Sequence, residues 1–288
     1  MADISRHPFR LSRPERLAAP IVVASPHSGR AYAWEWMADT VLDSRRIRSS
    51  EDAYVDLLLE RVPRLGLPLI AAEVPRAFVD LNRSEEELDP ALVRDVPRGG
   101  SNPRVTSGLG VIPRVVAQGR AIYSGKISRE EARRRIDTVW RPYHDQLGAL
   151  MDEAAAAFGR AILLDVHSMP HEAIENAAPK GRAPEVVLGD RFGASADGAI
   201  SEAVETIFAD LGFRVARNAP FAGAYVAQAY GDPSRGRHVV QVEIDRALYM
   251  DEDRLRPSED FETIRNLLTD GIRRLAAWSV SSERVAAE

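Results

Sequence analysis

The sequence predicts an α/β fold: a mixed, largely parallel central sheet flanked by helices. Three observations carry this expectation. Several short apolar runs have the continuous character of strands buried on both faces. Segments with helical periodicity separate them. No internal repeat or low-complexity linker interrupts the alternation.

The strand candidates are Pro20–Ser25, Leu67–Val74, Ala161–Val166, Pro184–Gly189 and His238–Asp245. A helix is expected from Ser50 onward, in SEDAYVDLLLERVPRLG, with Glu51 and Asp52 at its start. The clearest helix follows Ser128, where Ser128 and Glu131 form a capping box. Ile136, Val139, Trp140, Tyr143, Leu147, Leu150, Met151 and Ala154 then trace its apolar stripe, and Pro142 predicts a kink. His144 lies beside that stripe and reads as packing. Another helix runs through SADGAISEAVETIFADLG, with Ser195 or Asp197 as its cap. The last carries Phe261, Ile264, Leu268, Ile272 and Leu275 on one face. Leu88–Arg114, rich in Pro, Gly and Arg, is expected to be a loop over the active cleft. The expected organisation is a single domain over 1–288, with its core at about 20–278 and frayed termini, including VSSERVAAE.

Composition narrows the function. At 288 residues and a net charge of −5, the chain has ordinary globular make-up and no electrostatic reason to bind nucleic acid. It has no cysteine, which removes disulfides, thiolate nucleophiles and cysteine-based metal sites together. Any metal must bind through His, Asp and Glu. The N-terminus lacks the apolar core of a secretory signal, and no run reaches the length of a membrane span, so the expected location is the cytoplasm.

In an open α/β sheet, ligands gather beyond the carboxyl ends of the strands. Here two strands run into His27 (SPHSG) and His167 (DVHSMP), and a third carries Glu243 and Asp245. One histidine at a strand end is ordinarily structural. Two of six histidines, each ending an apolar strand before a small-residue turn, favour a metal site. Two histidines and a carboxylate, from Glu51 or Asp52, suit a catalytic divalent ion. A separate glutamate can then take the proton from water. Asp165, two residues before His167, points to the same side and can support it. Glu243 in an apolar strand is either paired with an arginine or used, because an unpartnered buried carboxylate is costly. His7, His171 and His238 show no pattern. Arg76, Asp80, Asn82 and Arg83 crowd one stretch, where arginine offers a fork for a substrate carboxylate; a solvated surface loop is the alternative.

The ordered motifs SPHSG, EDAYVD, FVDLNR, LLDVHSMP, LGDRFGASAD, NAPFAGAYVAQAYGDP and VVQVEIDRALYMDE resemble the N-formylglutamate amidohydrolase family over roughly residues 21–252. The resemblance implies a phosphorylase/hydrolase-like fold similar to that of zinc carboxypeptidases, with metal at the carboxyl edge of the sheet. It implies His27, Asp52 and His167 as metal ligands, with Glu51 the alternative carboxylate, and Glu243 as general base. It implies Asn82 and Arg83, and more weakly Arg76, as holders of a substrate carboxylate. The expected cofactor is Zn2+, with iron, cobalt or manganese as other occupants. The expected partner is a small molecule bearing a carboxylate, with no nucleic acid and no membrane. The implied reaction is N-formyl-L-glutamate and water giving formate and L-glutamate, a step of histidine degradation. One stretch departs from the family pattern: Gln228 and Ala229 stand where an Arg-His pair is expected. Gln228 does not replace that charge, so another N-acyl amino acid is an open substrate. The alternatives are a related deacylase or carboxypeptidase-like hydrolase, a non-enzymatic metal- or ligand-binding protein, and a serine hydrolase built on Ser28 or Ser195.

Overall fold

A computed structural model describes residues 7–97, 102–175 and 183–286. Its main strands are β1 (Phe9–Ser12), β2 (Ile21–Ser25), β3 (Leu69–Ala72), β4 (Ala161–Met169), β5 (Val186–Gly189), β6 (Val215–Arg217) and β7 (Arg237–Asp245). Its helices are α1 (Trp34–Ala38), α2 (Val55–Leu58), α3 (Pro103–Thr106), α4 (Arg129–Arg135), α5 (Arg141–Phe158), α6 (His171–Glu175), α7 (Gly198–Asp210), α8 (Tyr225–Tyr230) and α9 (Phe261–Ala286). The chain divides into two compact units. The first gathers the chain up to Arg10, Pro26–Asp52 and Ala71–Gln146; the second gathers Leu11–Ser25, Ala53–Ile70 and the chain from Leu147 onward.

The seven strands form a mixed sheet of order β1-β3-β2-β4-β7-β5-β6, of which β2, β4, β5, β6 and β7 lie wholly in the second unit. Strands β2, β4 and β7 run parallel; β5 is antiparallel to β7 and parallel to β6. The α/β expectation therefore holds, and all five strand candidates are strands. Strand β4 extends past Val166 to Met169, so His167 lies within a strand instead of beyond its end. The nine β4 residues are all buried, which is why the run reads as continuously apolar up to Asp165.

Side-chain alternation divides the chemistry from the core. Ile162, Leu164 and Val166 of β4 and Val240, Val242 and Ile244 of β7 enter the main core with Ile21 and Val23 of β2. Val55 and Leu58 of α2, Ile200, Val204 and Phe208 of α7, and the Phe261–Leu275 stripe of α9 cover that face. Each such side chain contributes roughly 1.5–3 kcal/mol on burial. Residues of the opposite parity, including Asp165, His167, Gln241 and Glu243, point to the other face. There Met169, Val187 and Ile174 form a small separate apolar cluster.

Several local expectations are corrected. No long helix begins at Ser50. Tyr54 adopts a left-handed backbone, φ 66°, which delays the start of α2 to Val55, and a 3₁₀ turn over Val62–Leu65 accommodates Pro63. Glu51 and Asp52 are consequently buried loop residues, not carboxylates on a helix end. At the next cap Ser128 accepts from the Glu131 N–H as expected, but the Glu131 carboxylate turns to Arg134 and Arg135. The irregularity expected at Pro142 is a π-helical turn over Ile136–Trp140, just before the proline. Asp197, not Ser195, caps α7, through the Ala199 N–H. Helix α9 continues to Ala286, so the tail expected to fray is helical that far; residues 287 and 288 lie outside the described residues. Residues 98–101 of the expected cleft loop also lie outside them. The rest of that loop, in the first unit, is held by Arg114 Nε on Asp89 (2.8 Å) and by a bridge between Val93 and Ile127.

Candidate metal and substrate site

In the first unit, the chain leaving β2 turns through Ser25-Pro26-His27 and buries the His27 imidazole. Gly29, two residues on, permits this turn: a Cβ there would sit 2.1 Å from the Val74 carbonyl oxygen. The His27 Nε2 faces Asp80 Oδ1 at 2.7 Å, and its Nδ1 lies 3.5 Å from Asp52 Oδ2. A carboxylate accepting from Nε2 sets the ring proton there and leaves the Nδ1 lone pair toward Asp52. The Asp52 N–H donates to the His27 carbonyl (3.0 Å), which locks the two segments together.

Asp80 is the residue that sequence reasoning noted without a role. It accepts from His27, from the Asn82 N–H at 2.8 Å and from Arg76 Nη2 at 2.9 Å. Burial pushes its pKa up, but the Arg76 charge and the charge and hydrogen bond of His27 outweigh that and hold it well below the usual carboxylate range. The choice between Glu51 and Asp52 is also structural. The Glu51 carboxylate accepts from Tyr32 OH (2.6 Å) and from Arg48 Nε and Nη2 (2.9 and 3.1 Å), whereas Asp52 turns to His27. Burial, and then the Glu51 charge, push the Tyr32 pKa up, so the phenol stays a neutral donor.

Arg83, also in this unit, is 8% exposed. Its Nε donates to the Leu109 carbonyl and its Nη1 to the Asn82 carbonyl, each at 3.0 Å. The Trp140 indole in turn donates to the Arg83 carbonyl at 2.9 Å. Nη2 has no hydrogen bond among the described residues, so a rigid, half-satisfied guanidinium remains for a ligand. Burial lowers the Arg83 pKa and the Asp80 charge partly restores it. His144 Nε2 donates to the Leu81 carbonyl at 3.0 Å, and its ring lies 3.9 Å from that of Trp140 at a tilt of 34°, the packing role expected of it.

In the second unit, His167 Nε2 meets Asp165 Oδ2 at 3.0 Å, the i, i+2 support the strand geometry predicts. His167 and Glu243 are register partners in the parallel β4–β7 pair, so their side chains stand side by side on the sheet. Gln241 Nε2 donates to Glu243 Oε1 (2.8 Å), and Gln241 Oε1 accepts from the Ala224 N–H at the start of α8 (2.9 Å). That amide is a partner for Glu243 which sequence reasoning missed. Gln228 and Ala229 lie exposed on α8. Ser195, one candidate nucleophile, is fully buried with its hydroxyl donated to the Val239 carbonyl (2.9 Å), so it has neither access nor a histidine base.

Among the described residues, His27, Asp52 and His167 make a buried group able to hold a metal ion, their candidate ligand atoms all within 4.8 Å of one another. Two imidazoles and one carboxylate, each imidazole backed by a second carboxylate, fit a divalent ion of the zinc type. No helix of the described residues is long and apolar enough to cross a membrane.

Comparison with known proteins agrees with the motif resemblance. The family model described as N-formylglutamate amidohydrolase matches residues 19–250. A crystal structure of N-formylglutamate amidohydrolase from Ralstonia eutropha JMP134 superposes with a TM-score of 0.89 at 35% identity, covering 96% of this chain and 99% of the other. N-formylglutamate deformylase of Pseudomonas aeruginosa is 29% identical over 272 residues, 92% of this chain and 95% of its own. That of Pseudomonas putida is 28% identical over 239 residues, covering 81% and 82%.

Proposed function

The chain belongs to the N-formylglutamate amidohydrolase family, and on that premise we propose that it is a zinc-dependent amidohydrolase cleaving the amide of an N-formyl or N-acyl amino acid, N-formyl-L-glutamate first among them. Both compact units serve this one catalytic domain. The observation that carries the reading is the pair of buried imidazoles, His27 and His167, each with Nε2 on a carboxylate, grouped with Asp52.

A zinc ion held by His27, Asp52 and His167 would make bound water acidic and polarise the amide carbonyl. The protein's residues do the rest. Asp80 and Asp165 fix the two imidazoles in the tautomer that ligates through Nδ1. Glu243, beside His167, receives the proton of the attacking water at its carboxylate and delivers it to the leaving nitrogen. Gln241 holds the Glu243 carboxylate in place. Arg83 offers Nη2 to the substrate carboxylate, Asn82 assists, and Arg76 braces Asp80. Binding energy remote from the scissile bond thus positions it.

Metal content by plasma mass spectrometry, with formate release from N-formyl-L-glutamate, tests the proposal. The expected result is about one zinc per chain and turnover in the wild type, both lost in a folded His167→Ala variant. A wild-type protein that takes up no metal on reconstitution would overturn it.

A further inference from the structure

Glu51 is buried as deeply as its neighbour Asp52, 2% against 1% exposed, yet the proposed chemistry leaves it without a task. A buried carboxylate is costly unless donors compensate it. Three do: Tyr32 OH at 2.6 Å and Arg48 Nε at 2.9 Å meet Oε1, and Arg48 Nη2 meets Oε2 at 3.1 Å. A buried ion pair adds little stability over apolar packing of the same volume, because desolvation offsets the attraction. Its use must then lie in the geometry it fixes, and that geometry bears on Asp52.

The residues concerned all belong to the first unit. Two rungs join its segments there. One is His27 with Asp52, whose N–H donates to the His27 carbonyl at 3.0 Å and whose carboxylate lies 3.5 Å from Nδ1. At 3.5 Å that second contact aims the carboxylate only weakly. The other rung is Tyr32 with Glu51. The Glu51 backbone is extended, φ −65° and ψ 145°, so consecutive side chains leave the chain on different sides. Glu51 reaches Tyr32 and Arg48 while Asp52 faces His27. Anchoring the one therefore sets the aim of the other. Tyr32 is itself braced. The Ala31 N–H before it donates to the Glu73 carbonyl (2.9 Å), and its ring stacks on Trp36 with 5.7 Å between centroids. The Trp36 indole in turn donates to Tyr123 OH at 3.1 Å.

We propose that Glu51 is a positioning residue for the metal site: held by Tyr32 and Arg48, it fixes the Glu51–Asp52 segment so that the Asp52 carboxylate faces His27 before an ion binds. The inference rests on the metal reading of His27, Asp52 and His167.

The test measures zinc affinity by chelator competition, and thermal unfolding of the metal-free protein, in wild type, Glu51→Leu, Tyr32→Phe and the double variant. Glu51→Leu removes the carboxylate and releases Arg48, 28% exposed, to solvent. Zinc affinity should fall about tenfold or more, while metal-free unfolding moves little. Tyr32→Phe should cause part of that loss, and none further once Glu51 is gone, because the two act through one contact. Cobalt(II) bound in place of zinc should show an altered visible spectrum in each variant, the sign of a displaced carboxylate ligand. Unchanged zinc affinity in the folded variants, or losses that simply add in the double variant, would overturn the inference and leave the metal reading intact. If Glu51→Leu does not fold, Tyr32→Phe decides alone: weaker zinc binding at wild-type metal-free stability supports the inference, and unchanged binding refutes it. A wild type that takes up no zinc removes the metal reading first, and the inference with it.

Discussion

Replacing Asp80 with Asn separates a residue that holds a ligand from one that is merely buried nearby. The side chain is nearly isosteric, so packing is preserved. The carboxylate accepts three hydrogen bonds, from His27 Nε2 at 2.7 Å, the Asn82 N–H at 2.8 Å and Arg76 Nη2 at 2.9 Å. His27 Nε2 and the Asn82 N–H share Oδ1, whereas Arg76 Nη2 meets Oδ2, so an amide serves one side only. With its oxygen toward His27 and Asn82 the NH₂ opposes Arg76, and the negative charge behind the His27 N–H is lost. A hydrogen bond to a charged group contributes roughly 1.5–3 kcal/mol. Zinc affinity should therefore fall about 10- to 100-fold. The assay is competition with a zinc chelator of known affinity, read beside a His27→Ala variant that loses the ion altogether. Zinc affinity within twofold of wild type in a folded Asp80→Asn protein would refute the reasoning, and would leave His27 ligating without a carboxylate behind it.

Other substitutions probe other parts. Glu243→Gln should lower kcat about 10²- to 10⁴-fold with zinc retained, as stopped assays and metal analysis of one preparation would show; near-normal turnover removes Glu243 from the mechanism. Arg83→Lys keeps the charge but loses the fork held by the Leu109 and Asn82 carbonyls, so KM for N-formyl-L-glutamate should rise about tenfold or more, measurable by initial rates. Gly29→Ala drives a Cβ to 2.1 Å from the Val74 carbonyl, and thermal denaturation should show a loss of several kcal/mol, roughly the upper range of single substitutions. Asp190, bonded to Asn218 and Arg217 and held at a pKa of about 2, stabilises the fold when ionised. Because its folded pKa is depressed, that contribution is complete above the ordinary carboxyl range and vanishes as pH falls through about 2; denaturant titrations should show the gap between wild type and Asp190→Asn narrowing over that interval.

Strand existence was readable because a sheet covered on both faces needs apolar residues at nearly every position. His27 and His167 stood out as polar interruptions of that pattern. Their carboxylate partners were only half visible. Asp165 follows from strand parity, because i and i+2 share a face. Asp80 does not, because it reaches His27 across 53 positions of chain, and only the fold brings them together. The misplaced helix at Ser50 has the same origin. Its apolar spacing is helical, but Tyr54 is held at positive φ while its hydroxyl donates to the Leu255 carbonyl at 2.6 Å, a contact 201 positions away. His171 looked patternless because its partner, Asp245, ends strand β7, 74 positions away in the chain.

The polar face of the second unit repeats one device. Asp165 bonds His167 two residues on, and Gln241 bonds Glu243 two residues on. Neighbours on one face of a strand lie about 7 Å apart at the backbone, close enough for a long side chain to reach a short one. The support for each functional group is therefore carried by the same rigid element as the group itself, and is set once the strand forms. The opposite face of these strands, Ile162, Leu164 and Val166 on β4 and Val240, Val242 and Ile244 on β7, is packed beneath α2, α7 and α9. Hydrophobic burial on that side holds the strands in register, and register alone puts His167 beside Glu243. Buried carboxylates that would be costly in isolation are tolerated because apolar packing one layer away fixes each beside a donor. The alternation that hides the site inside apolar runs of sequence is thus the same alternation that preorganises it.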